Sequence, residues 1–222
     1  MTKISERGMI FNAEMVRALL DGRKTQTRRP IKWKQTRFTE IGEREDGSKW
    51  PWSEDAEHAC DFWHPCPFGA VGDRIWVREA FRVHSRATDV ATLVYKASER
   101  NSWTEQTRRV PVAVCNKPAT PEKWTPSLHM PRWASRILLE ITDVRVERLN
   151  AISEEDATAE GVPPAGSLLP DYPGTFLTPK GDFATAKVAF QRLWESIYGE
   201  ESWKANGWVW VISFKRIEGG AA

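Results

Sequence analysis

The 222-residue sequence has no apolar run that approaches the ~20 residues needed to span a membrane. Its first residues, MTKISERGMIF, contain no apolar signal segment, so we expect neither export nor a membrane partner. Cysteine is scarce: there are three residues, an odd number, and no export signal. From these absences the sequence predicts a cytoplasmic protein.

Several common catalytic motifs are also missing: the sequence has no Gly-rich phosphate loop, no G-x-S-x-G and no H-E-x-x-H. The net charge of +2 argues against a general nucleic-acid coat but leaves room for a local basic patch. Twelve tryptophans are several times the ordinary number. Some must lie in the core, and others indicate flat surfaces on which rings or bases stack.

One short segment resembles a metal site. HACDFWHPC places His58, Cys60, His64 and Cys66 as two H-x-C pairs, and all four residue types are good zinc ligands. With only one residue between the two ligands of a pair, both side chains reach the same metal ion poorly, since a spacing of two to four residues is normal. We therefore expect these residues to bind no zinc.

The pattern of apolar and turn residues predicts an α+β protein, with about six mostly antiparallel strands and about three helices. The strongest strand lies at 135–149, and another at 74–81. One helix follows Asn12, and a second follows Ser153, whose spacing to Asp156 is that of a capping box. The third, within ATAKVAFQRLWESIYG, is expected to bury Val188, Phe190, Leu193, Trp194 and Ile197. We expect one domain over residues 1–222, with irregular excursions at about 33–66 and 163–182.

A basic window follows the first helix: GRKTQTRR contains Arg23, Lys24, Arg28 and Arg29. The negative end of the helix dipole favours Arg23 and Lys24, but this effect fades within one turn. The window has three interpretations. It is a catalytic lysine with its cationic neighbours, a nucleic-acid or anion contact, or a solvated basic surface.

Lysine and threonine can form a nucleophilic pair, in which a neutral amine takes the hydroxyl proton and the alkoxide attacks a carbonyl. Nearby cations and burial lower a lysine pKa toward neutrality. In a regular strand, however, Lys24 shares a face with Arg28, whereas Thr27 points to the other side. Lys24 and Thr27 therefore converge only if the turn continues through Lys24 or a bulge intervenes.

Two glutamates are candidates for a general acid or an orienting carboxylate. Glu160 ends a short helix beside Gly161, and Glu79 follows Arg78 in a strand. The alternative for each is a structural role, at an exposed helix end or in an ion pair. The HMPRW segment, with Arg132 and Trp133, could stack a base, although tryptophan is commoner in cores.

Several blocks resemble the ASCH-domain proteins of phages and prophages, which belong to the PUA-like superfamily. They are FNAEMVRALLDGRKTQTRRPIK, PFGAVGDRIWVREAF, HMPRWASRILLEITDVRVERLNAISEEDATAEGV, FQRLWESIYG and GWVWVISFKRI. The resemblance implies a β-barrel with flanking helices and a cleft for RNA or a modified nucleoside. Family members tend to have Asn-Pro-Trp where this chain has Asn206-Gly207-Trp208.

The family includes amidohydrolases that deacetylate N4-acetylcytidine with a lysine, a threonine and a glutamate. Gly22, Lys24 and Thr27 match its G-x-K-x-x-T stretch, and Glu160 is the matching glutamate, with Glu79 as the alternative carboxylate. The resemblance implies that Thr27 is the nucleophile, Lys24 its base, and Glu160 an orienting group or proton donor, without a cofactor. The residues expected to contact the substrate are Arg23, Arg28, Arg29, Glu79, Arg132 and Trp133. We expect Lys24 to be partly buried and Arg28 or Arg29 to lie at the rim of the cleft.

Two other functions compete with amide hydrolysis. The same cleft could bind RNA or a modified base without turnover, or the chain could be a phage accessory protein that acts through a protein partner. A module that only binds tolerates Lys24→Arg, whereas a base that must be neutral does not. The sequence leaves the substrate and the oligomeric state open.

Overall fold

A computed structural model of the chain describes residues 4–32, 40–55 and 60–217. These residues form an α+β structure that divides into two compact units. The first unit contains residues 4–22, 72–140 and 215–217, and the second contains the described residues of 23–71 together with 141–214. The expectation of a single domain over residues 1–222 stays a prediction.

The described residues form thirteen strands and five α-helices. The strands are β1 (Glu6–Ile10), β2 (Gln26–Pro30), β3 (Glu40–Glu43), β4 (Lys49–Asp55), β5 (Cys60–Trp63), β6 (Arg74–Arg78), β7 (Phe81–Arg86), β8 (Val90–Tyr95), β9 (Thr107–Pro111), β10 (Leu138–Arg148), β11 (Phe176–Leu177), β12 (Phe183–Ala184) and β13 (Trp208–Ile217). The helices are α1 (Ala13–Leu20), α2 (Trp103–Gln106), α3 (Glu154–Ala159), α4 (Ala186–Tyr198) and α5 (Glu200–Lys204).

The first unit contains two groups of paired strands. β1 runs parallel to β6, and the first residues of β10 pair antiparallel with β6. β7, β8 and β9 form a separate antiparallel sheet. The apolar face of that sheet buries Phe81, Leu93 and Tyr95 together with Met130. Burial of these large side chains is the main stabilising contribution in this part of the unit.

In the second unit β13 lies between β10 and β2, and it pairs antiparallel with β2. Helices α3, α4 and α5 supply a core in which Phe190, Trp194 and Trp203 pack together with Val211 of β13. β3, β4 and β5 form their own antiparallel sheet, and β11 pairs with β12. Within this unit, the core holds α3 beside the strand that carries the basic window.

The prediction of one barrel of about six strands is wrong for the described residues, because their strands form open sheets. Residues 33–66, expected to be irregular, include β3, β4 and β5. Trp50 and Trp52 of β4 lie on one face of the strand, with Pro51 between them, but β4 lacks the β-branched residues that usually identify strands. Residues 163–182 carry little regular structure besides the short β11.

The strongest helix predictions are confirmed. Asn12 caps α1 by accepting from the Met15 N–H, and Ser153 caps α3 by accepting from the Asp156 N–H. α4 also forms and ends at Gly199, but Val188 and Ile197 are exposed, because its buried side consists of Ala186, Ala189, Phe190 and Trp194. The short helices α2 and α5 were not expected. No helix in the described ranges is long and apolar enough to cross a membrane.

Candidate active site

Backbone hydrogen bonds in the second unit place the basic window beside the end of α3. The Thr25 N–H donates to the Ala159 carbonyl over 2.9 Å, and the Phe214 N–H donates to the Thr25 carbonyl over 2.8 Å. β2 then continues antiparallel to β13, with Thr27 opposite Ile212. Lys24 therefore stands next to Glu160, the residue at which α3 ends.

Lys24 and Glu160, two of the three residues that the resemblance places in a catalytic set, form a buried pair. The Lys24 Nζ donates to Oε2 of Glu160 over 2.9 Å and to its backbone carbonyl over 2.7 Å. Each residue is 3% exposed. The pair joins positions 136 residues apart in the sequence, so the short-range pattern alone could not have shown it.

The pKa of Lys24 lies below its usual range. Burial is the largest cause, because removing the ammonium from water disfavours its charged form. The Glu160 carboxylate opposes this effect, whereas the positive charges of Arg29 and Arg28 lower the pKa further. A lysine in such surroundings loses its proton at a lower pH than an exposed lysine, which general-base catalysis near neutral pH requires.

Arg28 is buried among carboxylates and does not lie at a rim, where the sequence had suggested Arg28 or Arg29. Its Nη2 donates to Asp156 over 2.8 Å and to Glu147 over 3.1 Å, and its Nη1 donates to Glu160 over 3.3 Å. Its side chain is fully enclosed, and the Phe190 ring centroid lies 5.9 Å from its guanidinium carbon. These contacts explain how Lys24 and Arg28 are tolerated side by side, since each faces an acidic partner.

Arg145 of β10 extends the same group of charges. Its Nη2 donates to Asp156 over 2.7 Å and its Nε donates to Glu147 over 2.6 Å. Asp156 and Glu147 therefore each bridge Arg28 and Arg145. The pKa of Asp156 is lowered: burial would raise it, but the hydrogen bond from Arg28 and the charge of Arg145 outweigh that effect. Asp156 is therefore a carboxylate at neutral pH.

Thr27 and Arg29 lie on the opposite face of β2 from Gln26 and Arg28, as strand alternation requires. Arg29 is half-buried, and its Nη1 donates to the Thr27 Oγ1 over 3.1 Å. A cationic donor at this oxygen stabilises an alkoxide more than a neutral hydroxyl. Thr27 itself is completely buried, so attack on a substrate requires neighbouring side chains to move.

Arg23, a further candidate for substrate contact, is half-buried and donates from Nη1 to the Gly161 carbonyl over 3.0 Å. It thus binds the turn that follows α3. Gln26 is buried and accepts on Oε1 from Ser213 and from Arg145. The contact of Arg23 with Gly161 and the contacts of Gln26 hold the backbone and side chains around the Lys24–Glu160 pair in place.

The remaining candidates belong to the first unit. Glu79 is 2% exposed and accepts two hydrogen bonds from Arg136, over 2.9 and 3.0 Å. Burial raises the pKa of Glu79, against the opposing effect of Arg136. Arg132 donates from Nε to Glu6 over 3.0 Å. Trp133 packs edge-on against Phe81, with ring centroids 6.3 Å apart.

The segment with the two H-x-C pairs falls partly outside the described residues, because His58 lies in 56–59. Cys60 is exposed, Cys66 is buried, and the Nε2 of His64 lies 2.9 Å from the Ser53 hydroxyl. Burial lowers the pKa of His64. No cluster of three or more potential metal ligands occurs within 4–32, 40–55 and 60–217. The expectation that these residues bind no zinc stays a prediction.

Three charged residues of the site were missed as functional candidates: Glu147, Asp156 and Arg145. Asp156 was noticed only as the third residue after the Ser153 cap, a position at which acidic residues are common. Glu147 and Arg145 alternate in the second half of β10 with the more buried Val146. That alternation indicated that both side chains point to the same side of β10. Arg28 lies on this side and contacts Glu147.

Comparisons with known proteins add no relative. The chain matches no protein-family model, no curated protein and no solved structure.

Proposed function

We propose that this protein hydrolyses an amide on a modified nucleoside or base, of the N4-acetylcytidine kind. The proposal includes membership of the ASCH group of PUA-like proteins of phages and prophages, a cytoplasmic location, and a substrate cleft next to Lys24. The observation that carries it is the buried Lys24 amine, 2.9 Å from a Glu160 oxygen and with a lowered pKa. Buried lysines of this kind serve as general bases.

Among the described contacts Thr27 accepts from Arg29 and Lys24 donates to Glu160, so the proposed reaction begins with a movement that brings the Thr27 hydroxyl to the Lys24 amine. The neutral amine then takes the hydroxyl proton. The Thr27 oxygen bonds to the acyl carbon, and the amide C–N bond then breaks as the leaving amine takes a proton from the Lys24 ammonium. Water hydrolyses the resulting ester, with Lys24 again as base. The sum is one amide and one water converted to one carboxylic acid and one amine, without a cofactor.

Two further residues have proposed roles in this reaction. Glu160 orients the Lys24 amine, since its carboxylate and carbonyl accept both hydrogens that a neutral amine carries. This leaves the nitrogen lone pair for the Thr27 proton. Arg29 donates to Thr27 Oγ1 and stabilises the negative charge that develops on this oxygen. Arg28 faces three carboxylates instead, so its proposed role is not direct substrate contact.

A binding module is the second candidate function, and a specific observation favours it. The Lys24 nitrogen also suits a permanent ammonium paired with a carboxylate, in a group where Lys24, Arg28 and Arg145 face Glu147, Asp156 and Glu160. Such balanced charges stabilise a scaffold without any proton transfer. In that case the protein binds RNA or a modified base and releases it unchanged.

The test is incubation of the purified protein with a panel of acylated nucleosides, including N4-acetylcytidine, followed by mass spectrometry. Lys24→Met keeps the side-chain length and removes the amine, so kcat/KM should fall by about 10³-fold. Lys187→Met is the matched control, because Lys187 contacts only the Asn150 carbonyl among the contacts described for its amine. Lys24→Arg should also be inactive while ligand binding persists. Full activity of either Lys24 variant, or binding without turnover by the wild type, would contradict hydrolysis.

A further inference from the structure

A chain of alternating charges runs from the surface of the second unit to the buried Lys24. Arg145 is about one-third exposed and contacts Asp156 over 2.7 Å. Asp156 contacts Arg28 over 2.8 Å, Arg28 contacts Glu160 over 3.3 Å, and Glu160 contacts Lys24 over 2.9 Å. Each member has an oppositely charged neighbour, so the position of one limits the position of the next.

Arg28 is the centre of this chain because its two terminal nitrogens serve different partners. Nη2 donates to Asp156 and Glu147, whereas Nη1 donates to Glu160. Its Nε is buried without a hydrogen-bond partner among the described residues. The guanidinium is therefore held by its carboxylate contacts, and the shortest of them is the one to Asp156.

We propose that Asp156 is a positioning residue, which holds Glu160 against the Lys24 amine through the Arg28 guanidinium. Asp156 is suited to this role by its place in the fold. Its own N–H is fixed by the Ser153 hydroxyl over 3.0 Å, in the first turn of the short helix that ends at Glu160. The six-residue helix α3 and its C-cap residue thus supply both the residue that fixes Arg28 and the carboxylate that Arg28 fixes.

The charge of Lys24 depends on this arrangement. The charged groups that act on Lys24 are Glu160 from the end of α3 and Arg28 and Arg29 from β2. Asp156 and Glu147 act on Lys24 through Arg28, and Arg145 acts through both of these carboxylates. Without the Asp156 carboxylate, the Arg28 charge is less compensated and Glu160 is less well fixed. Both effects disfavour the Lys24 ammonium.

The experiment compares Asp156→Asn with Glu155→Gln in the full chain. Glu155 is exposed in the same turn of α3, so both changes remove one negative charge near the same helix N-terminus. The Lys24 titration is followed by NMR of its ε-CH₂ group, assigned with Lys24→Met. We expect Asp156→Asn to lower the Lys24 pKa by about one unit, and Glu155→Gln to leave it within about 0.2 units.

Equal titration of Lys24 in wild type and Asp156→Asn, or equal shifts in the two variants, would overturn the proposal. Glu147→Gln is the second variant if Asp156→Asn does not fold, and it should lower the Lys24 pKa by a smaller amount. Asp156→Glu should restore the wild-type value in part.

The catalytic consequence rests on the proposed function: the pH profile of kcat/KM should shift with the Lys24 pKa while KM changes little. The NMR titration needs no turnover, so absence of amidase activity refutes the proposed function alone.

Discussion

The Thr25 N–H donates to the Ala159 carbonyl over 2.9 Å, and the residue before Thr25 and the residue after Ala159 form the Lys24–Glu160 pair. The backbone, not the side chains alone, therefore sets the distance between amine and carboxylate. Substitutions at Lys24 or Glu160 should leave this main-chain bond intact. The Lys24 variants consequently probe chemistry and charge at a site whose frame is retained.

The pH dependence of turnover follows from the lowered pKa of Lys24. Only the neutral amine can take the Thr27 proton, so kcat/KM on an acylated nucleoside should rise with pH as Lys24 loses its proton. Because burial shifts this titration downward, the rise should come at a lower pH than the titration of an exposed lysine, whose pKa is about 10.4. The measurement is kcat/KM from roughly pH 5 to roughly pH 10, an interval that ends near the ordinary lysine pKa. A rate that is flat over this range would contradict a lysine base.

The buried Glu79–Arg136 pair of the first unit permits a separate test of stability. Glu79→Gln leaves Arg136 without its carboxylate and should reduce the free energy of unfolding by about 3 kcal/mol. Replacing both residues, as Glu79→Leu with Arg136→Met, should recover most of this loss, because neither charge is then buried. Urea unfolding of the wild type, Glu79→Leu, Arg136→Met and the double variant gives the coupling energy.

The raised pKa of Glu79 predicts the direction in which the stability difference between the wild type and the double variant changes with pH. A carboxyl group whose pKa is higher in the folded state than in the unfolded state reduces stability as the pH rises through the interval between the two values. The double variant should therefore gain stability relative to wild type toward neutral pH. A double variant that is as unstable as Glu79→Gln at every pH would show that the ion pair itself stabilises the fold.

Gly8 of β1 has no room for a side chain. A Cβ at this position would lie 2.5 Å from the Trp76 ring, which belongs to the residue opposite Gly8 in β6. Gly8→Ala should lower the free energy of unfolding by roughly 1–3 kcal/mol, because the ring must move. Gly207→Ala is the control: a Cβ there meets no atom within 4 Å. If both variants unfold at the same urea concentration, the close approach at Gly8 is not strained.

The three cysteines should react with a thiol reagent at different rates. Cys60 is exposed, whereas Cys66 and Cys115 are buried. In native buffer one thiol per chain should react rapidly, and all three should react after unfolding. Cys60→Ser should remove the rapid phase. Two rapid thiols in the wild type would mean that Cys66 or Cys115 is accessible in solution.

The sequence predicted best where a structure depends on neighbours along the chain. The caps of α1 and α3 at Asn12 and Ser153 are local hydrogen bonds, and both are confirmed. The open sheets depend on distant segments, and the barrel expectation failed there. β3, β4 and β5 pair with their neighbours along the chain, but they carry few of the β-branched residues that usually identify strands. Lys24 was identified by its charge and by a resemblance. Its partner Asp156, which acts through Arg28, was identified only as a capping residue.

Buried charge pairs explain why the sequence did not predict the acidic partners of the basic window. The sequence showed four cations in one window, but the carboxylates that compensate Lys24 and Arg28 lie 119 to 136 residues away. No periodicity links such positions. Arg28 was therefore expected at a surface, where an isolated cation would be stable, and the structure instead places it among Glu147, Asp156 and Glu160.

The division of the second unit between two distant stretches of chain has a consequence for synthesis. The 136 residues that separate Lys24 from Glu160 take roughly 7 to 27 s to translate at ~5–20 residues per second. During that interval Lys24 and Arg28 leave the ribosome without their carboxylates. β2 must wait still longer for β13, the strand with which it pairs. The site therefore forms late in translation. In a nascent chain stalled before Phe214, β2 would carry the basic window without its pairing strand β13.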